Sequence, residues 1–291
     1  MPELPEVETV RRQLEPLVVG AEVIGGTAHP SPKFAEAIRA AGHRIDAVNR
    51  RGKYLLLELS PVDPSPLPPD DIEREMIVHL GMTGGLYVDP NHPCEAKPSG
   101  SEPSESVADP YERASWMFAD GRRLWFRDVR RFGRIAVVPA GDHRSLPTLH
   151  HLGPEPFDPT LDAVTFHRSL QGSRRRIKTQ LLSQRPVAGV GNIYADEALW
   201  RSRIHPGARR VGIERSGLLL EHLRNVLAES LDHGGTTIRD YRRPDGGKGR
   251  NQQRLDCYGR SGRPCRRCSS TLVARALDQR TTTWCPICQR N

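Results

Sequence analysis

The 291-residue chain reads as an α+β protein of two unlike parts, an N-terminal helix with a β-sandwich and a C-terminal helical domain ending in a cysteine-rich hairpin. Three observations carry that expectation. Between residues 21 and 138 apolar residues come in short alternating or continuous runs, separated by glycine, proline and aspartate as strands are by turns. From residue 161 the apolar period lengthens to that of helices. Finally, two Cys-x-x-Cys pairs, Cys265/Cys268 and Cys285/Cys288, close the chain. The expected division is 1–140 for the helix and sandwich, 141–159 for a linker, 160–255 for the helical domain and 256–291 for a zinc ribbon.

In chain order, Leu4, Val7, Val10 and Leu14 recur at helical spacing. Pro5 suits a first helical turn, Glu6 and Glu8 suit its positive end, and Pro16 is expected to end the run. Strands are expected around Ile45 and Ala47 and at 54–59, 76–80, 85–88, 115–118, 124–126 and 134–138. Two stretches rich in Pro, Ser, Asp and Glu, 61–71 and 89–111, read as long surface loops without chemistry. The linker carries the string HLGPEP from His151. Helices follow at 161–170, 177–182 and 193–200, and a longer one places Leu219, Leu223, Val226, Leu227 and Leu231 on one side. The turn Gly189-Val-Gly-Asn192 is a plausible backbone-amide cradle for phosphate, although such turns occur in proteins of every function. Residues 234–254, with Lys248 and Arg250 near the centre, read as a mobile basic loop.

Composition narrows the partners. With 43 Lys and Arg against 35 Asp and Glu the chain carries +8, which suits a polyanion without demanding one. No apolar run has membrane-spanning length and no secretory signal is visible, so a cytoplasmic protein is expected. The paired cysteines favour a metal site over a disulfide framework, and redox pairing is the competing reading. Four thiolates leave no open coordination position, so the expected ion is one structural zinc. Cys94 and Cys257 stand apart with no assigned role.

Several side chains suit chemistry. Removal of Met1 would leave Pro2 as a secondary amine titrating near ~8, against ~10.4 for lysine, and able to attack a carbon electrophile. Glu3 is placed for the accompanying proton transfers. In the plainer reading Pro2 only sets the chain end and the glutamates only cap a helix. Lys53, entering an apolar strand, either holds a phosphate or is simply solvated. Met82, Arg130 and Phe132 fall in two expected turns. They suit the void left when a base is everted from a duplex, whereas core packing is the alternative for Met82 and Phe132.

The opening string PELPEVETVRR resembles the start of the formamidopyrimidine-DNA glycosylase family, bifunctional base-excision enzymes that use an N-terminal proline as nucleophile. The resemblance implies that Pro2 and Glu3 are catalytic, with Lys53, before Tyr-Leu-Leu-Leu, a phosphate and catalytic-site contact. It also implies that Met82, Arg130 and Phe132 form the void-filling set, with Val129 where many members have proline. The Gly-Val-Gly-Asn turn becomes the family's helix–two-turn–helix element, in which Asn192 grips phosphate and Lys178 is a second candidate. Glu197 matches a glutamate near the active site, and it could instead cap amides or be solvated. Tyr258, in Tyr-Gly-Arg, and Arg280, in Gln-Arg, match backbone-binding positions, and Lys248 lies in the loop that covers an everted base. That loop, 244–253, contains no aromatic residue, a departure that bears on lesion choice. What the resemblance implies is a monomer that removes oxidised purines from damaged duplex DNA. Its rivals are a relative directed at oxidised pyrimidines, as in the endonuclease VIII branch, and a non-catalytic zinc-ribbon DNA-binding protein.

Overall fold

The computed structural model describes residues 1–63, 73–89 and 109–290. Most of both expected surface loops, and Cys94, lie outside the described residues. The first helix, α1 (Leu4–Val18), runs through Pro16 rather than ending there. Proline's fixed φ is helical and its missing N–H removes a single ladder bond, so in a last turn it is tolerated. The Val19 N–H still closes on the Glu15 carbonyl at 3.0 Å.

Eight strands follow: β1 (Glu22–Ala28), β2 (His43–Arg51), β3 (Tyr54–Pro61), β4 (Arg74–His79), β5 (Gly84–Asp89), β6 (Glu112–Phe118), β7 (Arg123–Asp128) and β8 (Arg134–Pro139). They form one antiparallel sheet in the order β5-β7-β6-β1-β2-β3-β4-β8. Its two halves share a core, because Trp116, Phe118 and Phe126 of one half and Ile45, Leu57 and Val78 of the other join a single buried cluster. Val7, Val10, Leu14 and Val18 of α1 plug that cluster. Leu4, at the same helix's start, belongs instead to the core of the helical domain. One amphipathic helix therefore fixes the chain's beginning at the junction of the two parts.

The helical part comprises α2 (Pro147–His150), α3 (Ala163–Gln171), α4 (Ile177–Leu182), α5 (Asn192–Arg201) and α6 (Ile213–Asp232), and a hairpin of β9 (Val273–Leu277) and β10 (Arg280–Trp284) closes the order. The expected linker is more than a connection. Leu146 and Leu149 lie in a buried cluster with Tyr54, Leu56, Ile77 and Ala136, covering a second face of β3 and β4. That is why β3 begins with four consecutive buried residues rather than alternating.

Candidate active site

A cavity of about 710 Å3 opens where α1, the sheet and the helical part meet. Pro2 and Glu3 line it from the chain start, Lys53 and Met82 from the sheet's turns, and Asn192 from α5. Arg130, Phe132, Tyr258 and Arg280 complete the expected residues on its wall. Nine positions singled out in the sequence thus converge on one space.

Glu3 explains the glycines of the 189–192 turn. Its carboxylate accepts the N–H groups of Gly191 (2.6 Å), Ile193 (2.8 Å) and Tyr194 (3.4 Å). The amides expected to cradle phosphate at the N-terminus of α5 are therefore given to an internal carboxylate, for the same electrostatic reason. A Cβ on Gly191 would come within 2.4 Å of the Glu3 side chain. Gly189 has φ +80°, and a Cβ there would meet Leu4 at 2.6 Å.

Beneath Glu3 lies Glu6, which the sequence suggested only as a favourable charge in the helix's first turn. It is fully buried, and its carboxylate accepts from the Tyr194 hydroxyl (2.5 Å), the Thr236 N–H (2.7 Å) and the Glu3 N–H (2.8 Å). Burial, and next the neighbouring Glu3, push this carboxyl up to about 7. The bond from Thr236 anchors the 234–254 segment. So do Arg250 N–H to the His233 carbonyl (3.0 Å) and Gly249 N–H to the Thr237 hydroxyl (2.9 Å), so the segment is tied at both ends rather than free. Its contributions to the cavity are Thr236, Ile238, Arg239, Asp240 and Tyr241, whereas Lys248 is exposed and off the cavity wall.

Lys53 occupies the two-residue turn between β2 and β3, a place usually exposed, yet only 3% of it is accessible. The reason is Glu155 in the linker, which takes the Gly52 N–H (2.7 Å), Arg50 (2.7 Å) and Arg51 (2.9 Å) and seals the hairpin against the helical part. Gly52 supplies the positive φ, +56°, that such a turn needs. Burial lowers the Lys53 ammonium below its usual range, opposed by Glu3 and Glu6, so its proton is easier to lose than an ordinary lysine's. Beside it His79 stacks on Tyr54 at 4.8 Å and also lines the cavity. Burial, then the Lys53 charge, hold it down near 4, so it is neutral at physiological pH.

Arg130 and Phe132 stand exposed on the turn between β7 and β8, with the guanidinium 4.9 Å from the phenyl centroid. The intervening Arg131 has φ +54°, and Lys33 holds its carbonyl at 2.9 Å. Asp128, wholly buried, ties this turn to the one bearing Met82 by accepting from the Thr83 hydroxyl (2.5 Å) and the Gly133 N–H (2.7 Å). The exposed Phe132 is not a core residue, which removes the packing alternative. Met82 is half-buried at the cavity.

Glu197 is a cap: it accepts the amides of Asp256 (2.8 Å), Cys257 (2.8 Å) and Tyr258 (2.7 Å) and so positions Tyr258 at the cavity. Asn192 reaches across to the Thr281 carbonyl at 3.0 Å. Arg280 follows a turn, Asp278-Gln279, in which both residues have positive φ, the geometry of a tight hairpin. Lys178 departs from the expected phosphate grip. It is 2% exposed, pairs with Asp196 at 2.6 Å and donates to the Thr282 hydroxyl at 2.9 Å, so its charge is satisfied inside the protein. Burial lowers this lysine and raises Asp196 to about 7, their attraction opposing both shifts.

The Sγ atoms of Cys265, Cys268, Cys285 and Cys288 lie within 4.8 Å of one another. Four thiolates around a tetrahedral ion with bonds of ~2.3 Å would stand about 3.8 Å apart, so the donor set fits a metal. Cys257, buried nearby, donates to the Thr283 carbonyl and is not part of the cluster.

A cleft between a sheet domain and a helix–two-turn–helix module, with a buried Pro2, carboxylates and exposed arginines facing one space, defines a two-domain protein built to hold a polyanion against reactive groups. The family models for the formamidopyrimidine-DNA glycosylase N-terminal domain and H2TH domain match residues 1–135 and 152–242. The formamidopyrimidine-DNA glycosylase of Deinococcus radiodurans is 40% identical over 99% of this chain and 97% of its own length. That of Thermus thermophilus is 42% identical over 99% and 98%. The crystal structure of MutM (Fpg) protein from Thermus thermophilus superposes with a TM-score of 0.83 at 41% identity, covering 99% of this chain and 98% of that one. A MutM in complex with carbocyclic 8-oxo-G containing DNA gives 0.81 at 32% identity, with both chains fully covered. The chain belongs to the formamidopyrimidine-DNA glycosylase family.

Proposed function

We infer that this protein is a bifunctional DNA glycosylase and abasic-site lyase that removes oxidised purines, 8-oxoguanine and formamidopyrimidines, from duplex DNA. The convergence of Pro2, Glu3 and Lys53 on one cavity, opposite an exposed Arg130–Phe132 wedge, carries the reading. The non-catalytic rival does not explain that convergence, since a mere binder has no use for a carboxylate held by three amides beside the chain start. A pyrimidine-directed relative would share it, and similarity to MutM and Fpg structures holding carbocyclic 8-oxo-G and Fapy-dG DNA supports the purine reading over that one.

In this reading Met1 is removed and the Pro2 nitrogen attacks C1′ of the everted nucleotide. Glu3, oriented by the amides at the start of α5, assists proton transfer at the sugar and the departing base. The resulting iminium acidifies the C2′ proton, so that β and then δ elimination release the flanking phosphates. Lys53 and neutral His79 hold the phosphate of the reacting nucleotide, while Asn192, Tyr258 and Arg280 hold its neighbours. Met82, Arg130 and Phe132 fill the space the nucleotide leaves. Lys178 acts indirectly, through Asp196 and β10, and Lys248 meets DNA only from the outer side of its loop. The four cysteines hold one zinc ion, whose contribution is to keep the 256–291 ribbon folded so that Arg280 is presented. The division at residues 140, 159 and 255 follows the same reading, as does action by a single chain in the cytoplasm. Among the described residues no helix is long and apolar enough to cross a membrane.

The test is borohydride reduction of the protein mixed with a duplex bearing 8-oxoguanine opposite cytosine, with the attachment point read by peptide mass spectrometry. An adduct on Pro2, absent in Pro2→Gly and slowed in Glu3→Gln, is the expected result. Adducts only with a bare abasic duplex would move the substrate to other lesions. No adduct from protein that binds the duplex would sink the catalytic reading.

A further inference from the structure

The base of the cysteine ribbon carries a second concave surface, of about 470 Å3, sharing no residue with the catalytic cavity. It is lined by Arg203 after α5, Arg215 in the first turn of α6, Arg267 in one cysteine knuckle, Arg290 after the other, and Ile287. Arg280 begins β10 and Cys285 follows its end, so at ~3.3 Å per strand residue this surface lies about 15 Å from the arginine that faces the cleft.

Three of the guanidinium groups are held by backbone carbonyls, Arg290 donating from Nε to the Ile287 carbonyl at 3.2 Å. Arg267 lies 4.2 Å from the Trp200 ring and donates to the carbonyls of Trp200 (3.0 Å) and Arg201 (3.3 Å). Arg215 donates to the Arg203 carbonyl at 3.1 Å. The nearby carboxylates are engaged elsewhere, Asp256 with Arg266 and Arg201, and Glu229 with Arg201. Among the described residues none of the four lining arginines pairs with a carboxylate. Four thiolates around a divalent ion carry a charge of about −2, so these arginines leave a surplus of roughly two positive charges. In their midst Ile287, between two cysteines of the cluster, is 52% exposed.

We propose that this arginine-lined concavity is a docking site for an acidic peptide segment of a partner protein, one that carries an apolar side chain among its carboxylates. Pre-oriented guanidinium groups suit planar, bidentate carboxylate recognition, and the exposed isoleucine gives an apolar side chain something to cover. A duplex satisfies the first requirement but not the second, since its outer surface is phosphate and sugar and offers no apolar side chain to cover Ile287. Because the site shares no residue with the catalytic cavity, a partner can be held while DNA is engaged.

The probe is a fluorescein-labelled peptide, Asp-Glu-Asp-Leu-Glu-Phe, followed by anisotropy. The zinc-loaded full-length protein is first saturated with an uncleavable abasic-site duplex, so that the peptide cannot act as a DNA mimic in the main cleft. Saturable binding is expected, weakened at least about 10-fold in Arg203→Glu/Arg290→Glu, as for lost close charge pairs. Arg215→Gln gives a smaller loss without charge reversal. Ile287→Ser should weaken this peptide but not one with serine in place of leucine and phenylalanine. Strand-cleavage rates and thermal midpoints of the variants should match the parent, which keeps a folding defect from imitating lost binding. No saturable binding to the duplex-saturated protein, or binding unchanged in the double variant, would each overturn the proposal. If instead undamaged duplex is what loses affinity in the double variant, the surface is a second DNA contact and the peptide assignment is wrong.

Discussion

Replacing Gly191 by alanine tests how Glu3, the carboxylate proposed to assist catalysis, is held. The added Cβ would stand 2.4 Å from Cδ and 2.6 Å from Oε1 of Glu3, well inside contact distance, so Glu3 or the start of α5 must move. Neither has easy room: Glu3 is 2% exposed, and its carboxylate is bonded to three amides of that turn. Overpacking of this kind costs about 1–3 kcal/mol, which in a chain of this size lowers the thermal midpoint by roughly 2–10 °C. The effect on chemistry should be larger, because a displacement of ~1 Å at a reacting group can cost about 100-fold in rate. The assay is single-turnover cleavage of an 8-oxoguanine duplex beside thermal unfolding, with Gly25→Ala as control, since nothing lies within 4 Å of a Cβ at that position. Full cleavage rate in Gly191→Ala would refute the claim that these amides set the position of Glu3. A rate loss no greater than the fraction unfolded would refute it equally.

Three further outcomes follow from the same geometry. Glu6 is raised from 4.5 to about 7, so the folded state binds its proton more tightly than the unfolded one; its contribution is complete below pH ~4.5 and lost as pH rises through ~7. Urea unfolding should show the parent losing about 3 kcal/mol relative to Glu6→Gln between those limits, and a flat difference would contradict the burial argument. Asp196→Asn strands the Lys178 ammonium and should cost about 3–5 kcal/mol, while Lys178→Met with Asp196→Leu should recover most of it; equal thermal midpoints for the two would show the pair carries no such weight. Stripping the metal with a thiol-reactive mercurial should release one zinc per chain, alter the fluorescence of Trp200 and Trp284 beside the ribbon, and abolish duplex binding while the sheet core stays folded. Retained binding after metal loss would mean that the ribbon does not present Arg280.

Much of the fold follows from local pattern. Strand and helix periodicity placed nearly every element because each presents an apolar face at its own period, and that face is a property of the sequence alone. Lys53, Met82 and Phe132 were legible as candidates because each sits in or beside a turn, where a side chain is not spoken for by the core, whereas Arg280 was legible only through the family resemblance. The paired cysteines were legible from spacing, since two knuckles need no distant partner to declare themselves. Glu6, His79, Asp128 and Tyr194 were not, because what sets each apart is burial or long-range bonding, and neither is written in local sequence. The glycine turn shows the same divide. Its sequence suggested amides that cradle a phosphate; that they are taken instead by the Glu3 carboxylate, 188 residues earlier in the chain, depends on α1 packing across both domains. Lys178 and Asp196 likewise read as ordinary charges until α4, α5 and β10 close around them. The chain by itself determined which groups are present and which element carries each. Tertiary packing decided which charges are desolvated, which amides are already taken and which arginines remain free, because these depend on what lies within a few ångströms in space and not on what lies beside them in sequence.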